Sequence, residues 1–410
     1  MHIVKPLVAL HRAKAIHADF MLERAVSTAR VKRADVVVFC RNTEPANRWI
    51  LDQALSSNKP VVYDLDDNFF HLSPETEAGR YHCRPDRMSQ LEVYLKEASL
   101  VRVYSQELKE QVARLNHQVV RIAGPVDWEL VPPWTAVRDA QPVRAVYATS
   151  RFHDDDLAGV FLGDLCQVLD RYPGRVEMVF WGYCPRDMRR HPAVRFRPPV
   201  LNYDRFFSAF ARGGFEIGLA PLKDDAFHRS KSNVKFREYA ACGIAGIYSN
   251  VRPYAESVES GVTGLLVPNQ PGAWFEALSR LIEDSALRRA IRTQARTYSR
   301  GQYDLRLFQV QWLDQLQTVL AERPTTHPSF VGSRPLSRTN FCNSDHGVPA
   351  SESVQRRQTW MGRWRRRAQK VIPSLRARGL FKTLHLVRTT VHDAAMLLRI
   401  RAQTRSASFR

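Results

Sequence analysis

The chain has 410 residues and carries 61 Lys and Arg against 41 Asp and Glu, a formal net charge of +20. That length exceeds one ordinary core, and a 44% apolar share is that of a folding chain, so a small disulfide scaffold and a wholly disordered polymer are both excluded. The six cysteines show no C-x-x-C and no His partners at zinc spacing, which predicts reduced, buried thiols in a cytosolic protein.

The opening MHIVKPLVALHRAKA lacks the long apolar region of a signal peptide, and no run reaches the roughly eighteen apolar residues of a membrane span. One strand, His2–Leu7, is expected in the first thirty residues. Alternation then begins. Strands are predicted at Asp35–Cys40, Pro60–Leu65, Leu100–Tyr104 and Gln118–Ala123, with helices at Thr43–Ser56, Arg87–Ala98 and Gln106–Leu115. Near-continuous apolar strands between helices indicate a parallel sheet covered on both faces. Gly124, Pro125, Pro132 and Pro133 interrupt the pattern and mark a domain boundary.

The alternation restarts with strands Val143–Thr149 and Arg175–Trp181, helices Asp154–Arg171 and Tyr203–Arg212, and a buried strand Ile217–Leu222. A polar loop with Lys231, Ser232 and Asn233 opens a helix over Asn233–Cys242 that stops at Gly243, and strand Ile244–Tyr248 follows. Three closing helices are predicted at Trp274–Asp284, Leu287–Ser299 and Leu305–Glu322. The expected fold class is α/β, two doubly wound units facing across a cleft at the carboxyl ends of their strands. The expected domains are 1–126 and 127–322.

Residues 323–353 are rich in Pro, Ser, Thr and Asn and read as a linker. The last sixty residues hold fifteen Lys and Arg against two acids, a net of +13, leaving +7 for the first 350. Within 354–410, Trp, Leu, Phe and Val alternate with arginines, and Pro373 and Gly379 break the run into amphipathic helices. Such a basic helical tail suits an anionic membrane surface, or else packing on protein. Nucleic acid is the less favoured partner.

Chemistry concentrates at 215–267. A helix start offers unpaired N–H groups and a partial positive charge, so Lys231, Ser232, Asn233 and Lys235 there suit a phosphate. Equally, such lysines can be surface residues, and Ser232 and Asn233 can be simple caps. Glu238, one turn further in, is placed to accept hydrogen bonds from sugar hydroxyls, or to pair with Lys235 or Arg237. Asp64-Leu65-Asp66-Asp67 spells a D-x-D at a strand end, a pattern that elsewhere binds a metal–nucleotide; the other reading is turn chemistry and an ion pair with Arg41.

The pieces GLAPL, KSNVKFREYAACG, PYAESV and the glycine turn Gly261–Val267 resemble, in family order, the donor-binding half of GT-B glycosyltransferases of the group 1, GT4-like kind. The resemblance implies a GT-B fold and transfer of a sugar from a nucleotide diphosphate donor. It aligns Glu238 with the second glutamate of an E-x7-E motif, which accepts from the ribose hydroxyls. The first glutamate falls at Ser230, a departure that leaves the sugar's partner open, with His228 and Ser230 as substitutes. The loop ATSRFHDDDL resembles the family's diphosphate-facing loop, implying roles for Ser150 and Arg151, the latter as a bidentate clamp. Glu256 matches an acid that contacts the donor, or else favours a helix start. YDLDDNFF and VVVFC followed by Arg41 also resemble the group, so the aspartates are expected to face the acceptor, with Asp66 or Asp67 orienting or deprotonating its hydroxyl.

The resulting expectation is a cytosolic glycosyltransferase acting on a nucleotide sugar and a glycan or lipid-linked glycan, in bacterial surface polysaccharide assembly. Lys231, Arg151 and Asp66 are its reactive-centre residues, and neither metal nor cofactor is required. A nucleotide-sugar epimerase of the same fold, or a non-catalytic basic binding protein derived from such an enzyme, are the alternatives.

Overall fold

A computed structural model describes residues 2–133, 141–149, 156–322 and 383–388. Two parallel sheets are built from these residues, each of six strands. The first contains β1 (His17–Leu22), β2 (Val36–Cys40), β3 (Val61–Leu65), β4 (Leu100–Val103) and β5 (Val119–Arg121). The second contains β6 (Val143–Thr149), β7 (Val176–Gly182), β8 (Val194–Arg197), β9 (Ile217–Ala220), β10 (Ala245–Ser249) and β11 (Leu265–Val267), in the spatial order β11-β10-β9-β6-β7-β8. Strands β2, β3 and β10 are buried at every position. That burial is the reason they read as unbroken apolar runs, since helices cover both faces of each sheet.

Three regions differ from the sequence expectation. Residues 2–7 do not form a strand. Ile3, Val4, Leu7, Val8 and Leu10 recur at helical spacing and are buried along the helix Val4–Arg12, and β1 follows it. The closing helix Leu305–Ala321, expected with the second domain, packs on Val4–Arg12 and shares a core with β1 and β2. Its Trp312 is fully buried beneath the Arg102 guanidinium, 3.2 Å from the ring centre. The third difference lies in the basic tail. Its described portion is no helix but a strand, β12 (Thr383–Arg388), inserted in parallel between β1 and β2, so the first sheet runs β1-β12-β2-β3-β4-β5. TLHLVR alternates with the two-residue period of a strand, and two sheet edges offer backbone partners that an isolated helix lacks. The linker 323–353 and the rest of the tail lie outside the described residues.

Among the described residues, two connections between the sheets run side by side. The Val126 amide donates to the Tyr303 carbonyl at 2.7 Å. Gly124 sits where the first crossing leaves β5. A Cβ there would fall 2.1 Å from Arg237 Nη1 and 2.2 Å from His2 Cε1, so glycine lets these two side chains approach the junction.

Candidate active site in the interdomain cleft

In the second sheet the chain runs outward from β6 through β7 to β8, then returns to place β9 on the other side of β6. The strand order therefore reverses between β6 and β9. At such a switch point the loops leaving the two strands diverge and open a crevice at their carboxyl ends. The loop after β9 carries Lys231–Asn233, and the helix Val234–Ala241 returns the chain to β10. That helix ends as expected at Gly243, whose φ of 65° is the left-handed conformation that stops a helix. Ser150 and Arg151, in the loop after β6, lie outside the described residues.

Lys231 reaches across the cleft. Its Nζ pairs with Asp67 Oδ1 of the first domain at 2.7 Å and lies 4.0 Å from the Phe227 ring centre. Asp67 Oδ2 is in turn 3.1 Å from Arg41 Nη2, and Arg41 clamps Asp66 through Nε and Nη2. Arg41 follows β2 with a φ of 58°, a strained value for a non-glycine residue, and its amide donates to the Asp64 carbonyl at 3.2 Å. Burial alone would lower its pKa, yet Asp66 and Asp67 hold it well above the ordinary value. Asp64 points elsewhere. It is buried, accepts from the Tyr104 hydroxyl at 2.7 Å, and lies 3.4 Å from Arg102. Burial pushes its pKa up to about 6, with Arg102 and Tyr104 opposing. The D-x-D-D run thus divides among three cations. Among the described residues no group of three or more His, Cys, Asp or Glu is placed to hold a metal ion.

One turn into the helix, Glu238 is only 3% exposed. Its Oε2 accepts from Lys235 Nζ at 2.9 Å and its Oε1 from the Tyr203 hydroxyl at 3.0 Å. The carboxylate is therefore held by two donors from separate helices.

The other expected donor contacts take different places. The Ser230 side chain is not open to a sugar. It accepts from Asn68 Nδ2 at 2.8 Å, donates to the Ala226 carbonyl at 2.7 Å, and is 1% exposed, while its carbonyl accepts from Ser105 Oγ at 2.7 Å. A serine at this position joins the domains where a glutamate would project. His228 Nδ1 lies 2.8 Å from both oxygens of Asp225, within its own short helix. Asn233 sits at the helix start but does not cap it. Its amide donates to Ser257 Oγ at 2.9 Å and Tyr303 Oη at 3.0 Å, and its oxygen accepts from Arg237 Nε at 2.9 Å. Ser232 is half-buried between Lys231 and Asn233. Glu256 lies in a turn, not at a helix start, and pairs with Arg121 of the first domain at 2.7 Å and Arg252 at 3.1 Å.

Sequence reasoning missed Tyr203, Asn68, Ser105 and Arg121. Tyr203 opens an amphipathic helix and reads there as one more core aromatic. The others are ordinary polar residues at strand or helix ends, and their partners across the cleft, Ser230 and Glu256, come only with the second domain. Arg41 did carry a signal, an arginine directly after a buried strand.

Two Rossmann-like domains with a cation-bearing crevice at a strand-order switch define the GT-B class, and solved GT-B proteins share this fold. Sucrose-phosphate synthase from Thermosynechococcus elongatus matches with a TM-score of 0.52 at 15% identity, over 70% of this chain and 74% of that chain. Anabaena HepE, in complex with UDP and glucose, matches with a TM-score of 0.52 at 16% identity, over 71% and 80%. TarM matches with a TM-score of 0.51 at 10% identity, over 68% and 54%. Residues 144–284 match the family model described as "Glycosyl transferases group 1". The core of the second domain is thus similar to the group 1 glycosyltransferases, on a chain of GT-B fold. No curated protein is a significant sequence match. No described helix is long and apolar enough to cross a membrane.

Proposed function

We propose that this chain transfers a sugar from a nucleoside diphosphate donor to an acceptor hydroxyl, with the donor on the second domain and the acceptor entering from the first. The reading rests on one observation above the others: Lys231, beside the switch-point crevice, is paired across the cleft with Asp67. An ammonium that already holds an anion at this point is placed to exchange it for a phosphate. When the anomeric C–O bond breaks, negative charge builds on the departing diphosphate. Lys231, Lys235, Arg151 and the start of the helix Val234–Ala241 supply positive potential there, which lowers the barrier because it acts more strongly on the transition state than on the bound donor. Glu238 accepts from the ribose hydroxyls.

On the acceptor side, Asp66 is clamped by Arg41 through two nitrogens, whereas Asp67 is shared between Arg41 and Lys231. Release of Lys231 to the diphosphate leaves Asp67 Oδ1 open to orient the acceptor hydroxyl and take its proton, with Oδ2 still held by Arg41. Domain closure around both substrates would exclude water and suppress donor hydrolysis. No cofactor takes part in this scheme. The acceptor class we favour is a glycan or lipid-linked glycan of a bacterial surface polysaccharide, made at the inner face of the membrane, with the basic charge of 354–410 drawing the enzyme to anionic lipid.

The test is a thermal-shift panel of UDP, GDP, ADP, CDP and dTDP. At least one should raise the melting temperature in a concentration-dependent way, since a ligand that binds only the native state stabilises it by mass action. A melting temperature indifferent to all five would remove the donor site.

A further inference from the structure

Glu238 is assigned above from its place on the donor helix, but its carboxylate does not stand alone. Tyr203 begins the helix Tyr203–Ala211, which follows β8 and belongs to a different crossover from the helix of Glu238. The start of the Tyr203 helix is fixed by Asn202, whose side chain accepts from the Arg205 amide at 2.9 Å. The Tyr203 ring lies nearly parallel to that of Phe207, with centres 5.7 Å apart. Ring position and helix start together leave the phenol little freedom, and it points at Glu238 Oε1.

We infer that Tyr203 is a positioning residue for donor recognition: its hydroxyl, with the Lys235 ammonium, fixes the Glu238 carboxylate in the orientation that reads the pentose diol of the nucleotide. The inference rests on the nucleotide reading of the preceding section. Each Glu238 oxygen receives one protein donor and keeps lone-pair capacity for a second. A carboxylate held at both ends cannot turn away when a sugar without one hydroxyl is offered, so it discriminates against that sugar. Burial, and then Glu238 itself, raise the Tyr203 pKa well above its usual value, so the phenol remains a donor at any ordinary pH.

The experiment measures dissociation constants for UDP, GDP and ADP, each beside its 2′-deoxy counterpart, by calorimetry on the full-length chain. Wild type, Tyr203→Phe and Glu238→Gln are compared, with melting temperature as the folding control. Tyr203→Phe keeps the ring and its stacking and removes only the hydroxyl. The wild type should prefer the ribonucleotide. Glu238→Gln should abolish most of that preference, and Tyr203→Phe should reduce it by about tenfold, the scale of one hydrogen bond to a charged group, while leaving 2′-deoxy affinity and melting temperature nearly unchanged. Three results would overturn the inference: a preference intact in Tyr203→Phe but lost in Glu238→Gln, equal weakening of both sugars in Tyr203→Phe, or a preference that neither variant alters. If no nucleoside diphosphate binds the wild type, the donor reading itself fails, and the inference with it.

Discussion

All six strands of the second sheet come from one run of chain, residues 143–267. The first sheet draws five strands from residues 17–121, a sixth from 383–388, and a covering helix from 305–321. The two halves also exchange ion pairs in both senses. The second half's Lys231 and Arg252 meet Asp67 and Glu107, while the first half's Arg121 meets Glu256. A half built from consecutive units can carry a local motif for a ligand. A half assembled from distant segments depends on long-range packing for its shape, and its cleft residues take their partners from the opposite domain.

The largest expected effect bears on how the first half is assembled. Trp312→Ala should destabilise the protein by about 3–5 kcal/mol, because it empties a fully buried site and uncovers the buried Arg102 guanidinium. Denaturant unfolding gives the number, and a loss below about 1 kcal/mol would mean that the helix 305–321 is not part of the first half's core. The next concerns the pair that Lys231 forms with Asp67 across the cleft. Lys231→Ala should lower turnover by about 10²–10³ with the fold intact, the range seen when one donor to a developing anion is removed. Steady-state kinetics on a suitable donor measures it, and unchanged turnover would take Lys231 out of the reaction.

Two titratable groups of the first half then give opposed pH responses. Asp64 has its folded pKa raised to about 6, above an unfolded value of 3.8, so the native state binds the extra proton and this group's contribution to stability falls as pH rises between those values. His82 is lowered to about 4 from 6.5, by burial first and then by Arg41 and Arg87, so its contribution rises with pH over that window. The two offset, each at up to about 3 kcal/mol, and less for the partly exposed His82. Between pH 4 and 6, Asp64→Asn should tilt the stability curve upward with pH and His82→Gln should tilt it downward. Melting temperatures across the range report both slopes, and parallel curves for wild type and variants would contradict the assignment.

The smallest effect tests the seam between the halves. Ser230→Ala should cost about 1 kcal/mol, because Asn68 keeps its second partner, Gln111, at 2.7 Å. A much larger loss would show that the halves lean on this contact more heavily than its hydrogen bonds suggest.

The second sheet was legible because each strand is apolar along its length and lies one helix from its parallel neighbour. The Lys231–Glu238 segment was legible as chemistry because residue spacing at a helix start defines local geometry directly. Amphipathic periodicity, by contrast, says that a face is covered but not by what. Leu305–Glu322 therefore reads as a helix, but its pattern does not say that Trp312, Leu313, Leu316 and Val319 pack on the first half. TLHLVR fits a strand only because β1 and β2 leave a place for it.

What the sequence determined by itself was the class of fold, the helix that carries Lys235 and Glu238, and the glycine that ends it, because these follow from interactions within a few residues. Tertiary structure alone decided that Lys231 meets Asp67, that Ser230 joins the domains instead of facing a sugar, and that Tyr203 holds Glu238. Each of these contacts links residues brought together only by packing, and short-range periodicity holds no record of such a pairing.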